Sequence, residues 1–564
     1  MTGLRSEIAT ILRSLPGWLW LFATSWIALA VYWQWLVHSG GILGDMWAML
    51  PGYQRLGEMD LPALWQELTN RFARVHVLAI PKIFFWINFY FFAGSGAFLK
   101  CCSFVLCLAN YFLLLYLVGG EKLFLDNKKV LIISGIILFF NGFQILVIDW
   151  DFLLQHYLAV FFSLSAFLVY ERYRYLPLVF FLAFLAGFSC GSGLATLGSL
   201  FFLLLARREK PYVLASCLAF ISFAGYLIWP DSVVVSPGVE GLPDNDFFWA
   251  APLLLLDYLS YPFSAFGNAR WIGFLLLAAA CHSFFRCFQS RNFSISDFLI
   301  CYFFMIACTV AWGRYRFFTE DTDLSRFYVY IAPLWFLFLL RVAELNRFFF
   351  RAVAGLLCGL LAIGGLAAVA VASDHAGRMD MARIVALNGN FSHFAASRLD
   401  AMAVGESALK QQSGYLQQHQ MDIYRPAFFM SGESEADSEC HLEQHRSVVV
   451  SKGQFVDYLF SVRDLDIRTP VIFYAVDKNF AVRYQGVAVA AANRMKGWLV
   501  PLRDIGWKDW SLLLPVQWLS PGRVLLYTHL PRSESLHDFQ WWGVTEDGSR
   551  CRIVFEQDVI SVPE

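Results

Sequence analysis

Between Gly17 and Ala372 the chain is a succession of apolar runs, most of them long enough to cross a bilayer as a helix. No other feature restricts the fold as strongly. In hydrocarbon every backbone polar group must be satisfied within the protein, so only helices and closed barrels span. A helix needs about 20 apolar residues to do so. The runs are Trp18–Val37, Phe98–Val118, Val130–Ile148, Phe152–Tyr170, Val213–Trp229, Ile272–Phe288, Phe298–Trp312, Phe327–Leu340 and Val353–Ala372. Leu176–Leu205 is longer and is interrupted by Gly187, Gly191, Gly193 and Gly198, so it reads as two short helices joined near Ser189–Gly193. No small-residue cleavage site follows the first run, which makes it a retained span and not a signal peptide. The expected total is eleven spans. Composition agrees: 58% of residues are hydrophobic and 15% charged, against about 45–50% and 25% in soluble domains. A soluble multidomain enzyme and a disordered or collagen-like chain are thereby excluded. The net charge of −1 leaves no basic surface of the kind a nucleic-acid binder needs.

The few charges set the expected orientation, because cytoplasmic loops are enriched in Lys and Arg. Arg5 and Arg13 place the N-terminus in the cytoplasm. With eleven spans, Lys122, Lys128, Lys129, Arg172, Arg174, Arg207, Arg208, Lys210, Arg286, Arg291, Arg347 and Arg351 fall on that side. Asp45, Glu58, Asp60, Asp149, Asp151, Asp231, Asp244 and Asp246 fall on the other. Ten spans would break this alternation. The expected fold class is therefore a polytopic α-helical membrane protein of about eleven transmembrane helices with a C-terminal, extracytoplasmic, mainly-β, sandwich-like domain. The boundaries are residues 1–372 for the membrane part, 373–445 for a helical connector and 446–564 for the β domain. In a Gram-negative host this is an inner-membrane protein with a periplasmic tail.

Within the tail, Asp374–Gln418 has a helical apolar repeat through Met381, Ile384, Val385 and Leu387. From Ser447 the period falls to two, giving strands over Val448–Val450, Pro470–Val476, Phe480–Val489, Trp498–Pro501, Arg523–Leu530, Trp541–Thr545 and Arg552–Glu556. Ten of the twelve cysteines lie in the membrane part, where a thiol behaves as a small apolar residue. Cys440 and Cys551 in the tail are either a disulfide, which an oxidising compartment permits, or two thiols. No nucleophile motif, P-loop or zinc pattern is present there.

The outer loops hold the chemistry-bearing residues. The first, about His38 to Ala97, contains Gly44-Asp45-Met46-Trp47 directly after the first span, and then Arg71, Arg74, His76 and Lys82. Within it Leu61–Arg74 reads as an amphipathic interfacial helix and Ile83–Phe92 as a re-entrant or interfacial stretch. The second is Asp149-Trp150-Asp151. A third, Gly313 to Arg326, carries Arg314, Arg316 and Arg326 at a membrane boundary. Arginines there either snorkel to headgroups or clamp a phosphate, whose geometry guanidinium matches. Their position against the positive-inside bias favours the clamp. A lone carboxylate and a set of basic residues at one face suit a lipid-linked phosphosugar. The carboxylate would act as general base on an acceptor hydroxyl, and the arginines would stabilise charge growing on the phosphate. His156, inside the fourth span, is either a satisfied buried histidine or an intramembrane site residue. Trp249 and Tyr258 either stack on sugar or lie in the interface.

These residues resemble the integral-membrane GT-C glycosyltransferases, which use polyprenyl-phosphate sugars. The first loop of one bacterial group ends in a pattern like His-Arg, three apolar residues, Pro-Arg. Here His76-Val77-Leu78-Ala79-Ile80-Pro81-Lys82 has that spacing. The late loop, like Gly-Arg-x-x-Phe-Gly and then Ser-Arg-Tyr, is matched by Gly313-Arg314, Phe317 and Ser325-Arg326-Phe327. Trp150-Asp151 and the Gly-broken pair at Gly187–Gly193 stand in similar order. Val75, Val77, Phe318 and Phe327 depart from the pattern. The resemblance covers most of residues 1–372. It implies Asp45 as catalytic base of an inverting transfer, with Asp151 orienting donor or acceptor hydroxyls. His76, Lys82, Arg314 and Arg326, with Arg316 beside them, would hold the donor phosphate. It implies a glycan or protein acceptor such as lipopolysaccharide or pilin, with the β tail as an acceptor- or glycan-binding module. A divalent metal is left open, since two loop carboxylates and a His can bind one but their spacing is not diagnostic. The rival expectation is a transporter or flippase of a lipid-linked saccharide, which would show paired broken helices in repeated halves.

Overall fold

In a computed structural model, residues 16–36, 46–55, 59–72, 76–209, 247–266, 269–289, 293–314 and 325–387 are described, with parts of 212–221 and 411–418 and the strands between 438 and 554. The first part is helical: α1 Gly17–Leu36, α2 Met46–Arg55, α3 Leu61–Thr69, the small hairpin β1 Arg71–Phe72 and β2 His76–Val77, then α4 Ala79–Phe92 and α5 Ala97–Val118. It continues with α6 Lys122–Phe139, α7 Gly142–Asp149, α8 Leu154–Tyr173, α9 Leu176–Ser189, α10 Leu194–Ala206, α11 Phe247–Ser260, α12 Arg270–Gln289, α13 Ile295–Arg314, α14 Tyr328–Leu345 and α15 Arg347–Leu387. Among the described residues six helices are long and apolar enough to cross a membrane, within α5, α8, α12, α13, α14 and α15. Shorter apolar helices are Ala79–Phe92, Leu176–Ser189 and Gly191–Ala206. The chain is a helical membrane protein.

Two apolar stretches are broken in the middle. The turn Gly191–Gly193 separates α9 from α10, and a Cβ on Gly193 would meet the carbonyl of Ala186. The other break was not expected. Where a single span over Val130–Ile148 is predicted, α6 starts at Lys122 and ends at Phe139, and α7 restarts at Gly142. Asn141 makes the restart possible. Its Oδ1 accepts from the Gln144 amide at 3.2 Å and its Nδ2 donates to the Tyr328 hydroxyl at 2.7 Å. The carbonyl orphaned at Phe140 accepts from the Trp26 indole at 2.7 Å. An unpaired carbonyl at that depth would cost several kcal/mol.

Charged pairs sort the helix ends into two groups. At one end Arg347 meets Asp126 at 3.3 Å, Arg207 meets Glu171 at 2.6 Å and Arg174 meets Glu209 at 2.7 Å. Arg341, buried, pairs with Asp297 at 3.2 Å and with Glu344. Glu121 accepts from the amide and hydroxyl of Ser296 at 2.9 and 2.8 Å. Burial pushes the Glu121 carboxyl up, while those two hydrogen bonds and Arg341 pull it down. At the opposite end lie Asp149 to Leu153, the Gly191–Gly193 turn and the start of α14.

The strands are β3 Ser438–His441, β4 Glu443–Lys452, β5 Phe455–Arg463, β6 Val471–Val476, β7 Val482–Ala490, β8 Val524–Pro531, β9 Gln540–Val544 and β10 Arg550–Val554. They form one sheet in the order β3-β10-β9-β6-β7-β8-β5-β4. All pairs are antiparallel except β3 with β10. A sandwich has two sheets; here β8 pairs on both sides, with β5 and β7, and joins the described strands into one. β3 lies within the stretch expected to be a helical connector. The register sets Cys551 beside Ser438 and Cys440 beside Ile553. Two residues along and one strand across separate their Cα atoms by about 8 Å, beyond disulfide range. Trp498–Pro501 lies outside the described residues.

Gly142 tests how closely α7 approaches α15, because a Cβ there would meet the Gly365 carbonyl. Gly142→Ala is expected to lower the thermal unfolding temperature of the purified protein, by about 1–3 kcal/mol of overpacking. Gly355→Ala, where nothing lies within 4 Å, leaves it unchanged or raises it.

Candidate functional site

The chain leaves α7 at Asp149 and turns through Trp150 into the 3-10 turn Asp151–Leu153 that opens α8. Two carboxylates therefore stand at one helix end, and both are buried. The start of α5 receives them. Gly96 caps α5 with φ +73°, and a Cβ on it would meet the Asp151 carboxylate. Glycine is required here twice, for its left-handed backbone and for the space. Asp151 thus lies against a helix N-terminus, where unpaired N–H groups and the dipole favour negative charge. One turn into α5, the Lys100 ammonium lies 2.8 Å from Asp149 Oδ1 and 3.9 Å from Asp151 Oδ1. Lys100 is the only charged residue of α5.

The other side of the cluster comes from the start of α14. The Arg326 guanidinium stacks over the Trp150 ring, 4.5 Å from its centroid. This holds a cation on the face of Trp150, the residue before Asp151. Phe327 fixes the segment: its carbonyl accepts from the Tyr258 hydroxyl at 2.9 Å, and its ring lies 5.5 Å from that of His156. His156 Nδ1 is 2.8 Å from the Tyr330 hydroxyl, which also bonds Ser192. Cys190 Sγ is 3.4 Å from the same histidine nitrogen. The glycine-broken turn, α8 and α14 are tied together through these four side chains.

Of the residues singled out in the sequence, Arg326 is brought onto the ring of Trp150, the residue before Asp151. Lys82 is not brought to them. Its ammonium donates to the Glu67 and Asn70 carbonyls at 2.5 and 3.0 Å, closing the last turn of α3. The backbone of His76 is in β2 and that of Arg314 ends α13; their side chains, with Asp45 and Arg316 entirely, lie outside the described residues. Tyr258 is fully buried and bonded to backbone, so it is no sugar platform. α3 is shorter than expected, ending at Thr69, and leaves Leu61 and Trp65 exposed. Asp60 caps it, accepting from the Ala63 amide at 2.9 Å.

Sequence reasoning passed over Lys100, Gly96, Cys190, Ser192 and Tyr330. Lys100 carried a usable signal, an ionisable residue inside an apolar span; the others carried none. Among the described residues no three His, Cys, Asp or Glu side chains converge as a metal site. The cluster joins an ammonium to two buried carboxylates and sets a guanidinium over an aromatic face. No family model, curated protein or solved structure matches the chain.

Lys100→Met removes the one ammonium between two buried carboxylates. Breaking a buried pair costs about 3–5 kcal/mol, so the variant should unfold well below the wild type in a thermal scan, and Lys100→Arg should recover part of the loss.

Proposed function

We propose that this protein is a GT-C-like glycosyltransferase that moves a sugar from a polyprenyl-phosphate donor to an acceptor outside the inner membrane. The observation that carries the reading is the stacking of Arg326 on Trp150, the residue before Asp151, at one end of a helical membrane bundle. That end is the extracytoplasmic one under the charge rule. A phosphate at the membrane surface needs a guanidinium, and a hydroxyl-rich sugar needs carboxylates. In the proposed step the acceptor oxygen attacks the anomeric carbon and its proton passes to Asp45. The bond from that carbon to the phosphate oxygen breaks with its electron pair. Polyprenyl phosphate leaves, its charge stabilised by Arg326, and configuration inverts. Asp151 orients hydroxyls; His76, Arg314 and Arg316 complete the phosphate site from the facing loops. Eleven crossings and a β-sheet module at 446–564 that binds glycan or acceptor, facing the periplasm, complete the proposal.

A second reading, a transporter or flippase of lipid-linked saccharide, is favoured by the second interruption at Phe140–Asn141, which with Gly191–Gly193 makes two broken helices. Transporters place their sites at such breaks. Membranes given a radiolabelled polyprenyl-phosphate sugar decide between the two. Transfer of label to an acceptor supports the enzyme, and redistribution between leaflets without transfer supports the transporter. In that assay Asp45→Asn is expected to abolish transfer with normal membrane expression; wild-type rates would remove the mechanism. Arg326→Ala is expected to raise the donor Kd at least tenfold, as loss of a charge-assisted bond worth about 1.5–3 kcal/mol implies, and an unchanged Kd removes the clamp.

A further inference from the structure

Three helices that pack together, α4, α5 and α8, are among those that bury a polar atom with no hydrogen-bond partner. Asn88 in α4 is 0% exposed, and both Oδ1 and Nδ2 are without one. The same is true of Oγ of Ser103 in α5 and Oε1 of Gln155 in α8, both buried. Each such atom costs about 1–3 kcal/mol, and in a bilayer there is no bulk water to relieve it.

Their positions relate them to the charged cluster. Ser103 follows Lys100 by three residues and Gln155 follows Asp151 by four. Residues so spaced lie on one helix face, so both stand one turn deeper than the ion pair. Asn88 follows Phe85 by three residues, and the Phe85 ring stacks on Phe152 at 5.9 Å, which sets it against the start of α8. α4, α5 and α8 pack against one another. By contrast, the polar residues tying α14 to the broken turn, His156, Tyr330 and Ser192, are bonded to each other.

A carboxamide offers a donor and an acceptor on adjacent atoms, and a serine hydroxyl offers both on one. That set matches the paired hydroxyls of a sugar ring. We propose that Asn88, Gln155 and Ser103 recognise the sugar hydroxyls of the lipid-linked donor whose phosphate is held by Arg326. This rests on the glycosyl-transfer reading. Sites that hydrogen-bond a hydroxyl with buried polar groups discriminate strongly against ligands lacking it, so these three residues set sugar specificity.

The test uses the full chain in lipid nanodiscs with two probes, polyprenyl phosphate and its hexosyl ester. Asn88→Leu and Gln155→Leu keep the volume close and remove the amide. The expected result is an unfolding temperature equal to or above wild type without ligand, an unchanged Kd for polyprenyl phosphate, and a Kd for the hexosyl lipid raised about tenfold or more. A lowered unfolding temperature for both variants would show a structural role and overturn the assignment. So would an unchanged hexosyl Kd, or a wild type that binds the two lipids equally. A wild type that binds neither lipid overturns the transfer reading, and this assignment with it.

Discussion

The helical part is organised around an ammonium held between two carboxylates at a helix end. Lys100, Asp149 and Asp151 are all buried, and at low dielectric none of the three is tolerable alone. Their mutual need fixes the start of α5 against the turn between α7 and α8. It also explains the left-handed glycine at 96, the only residue type that lets Asp151 approach. Arg326 is held near by the aromatic face of Trp150.

The opposite end is built differently. There Arg341, Asp297, Glu344, Arg286 and Glu121 pair among themselves and with Ser294 and Ser296. Such a network ties α12, α13 and α14 to the turn after α5 and has little left to offer a substrate. The two ends thus divide between fixing the bundle and presenting chemistry.

Much of this was legible in the sequence. Apolar run length marked the six long apolar helices of the described residues, and glycine spacing marked the break between α9 and α10. What escaped depends on three-dimensional partners. The break at Phe140–Asn141 is invisible in a run that stays apolar, because it is permitted by Trp26, Tyr328 and the glycines of α15, all distant in sequence. Lys82 looked like a phosphate ligand because its motif spacing fits, yet its ammonium closes the helix end of α3. Strand β5 was missed because Asp457 and Arg463 obscure its apolar alternation, and β3 because it is short and parallel-paired.

The bond from the Trp26 indole to the Phe140 carbonyl has a consequence for biogenesis. Ribosomes deliver the chain from its N-terminus, so the donor enters the bilayer more than a hundred residues before the acceptor. The broken helix therefore never has to wait in lipid with its carbonyl bare. A permuted chain in which α1 arrived last would face that exposed intermediate. The order of the segments is thus part of what makes an interrupted span insertable.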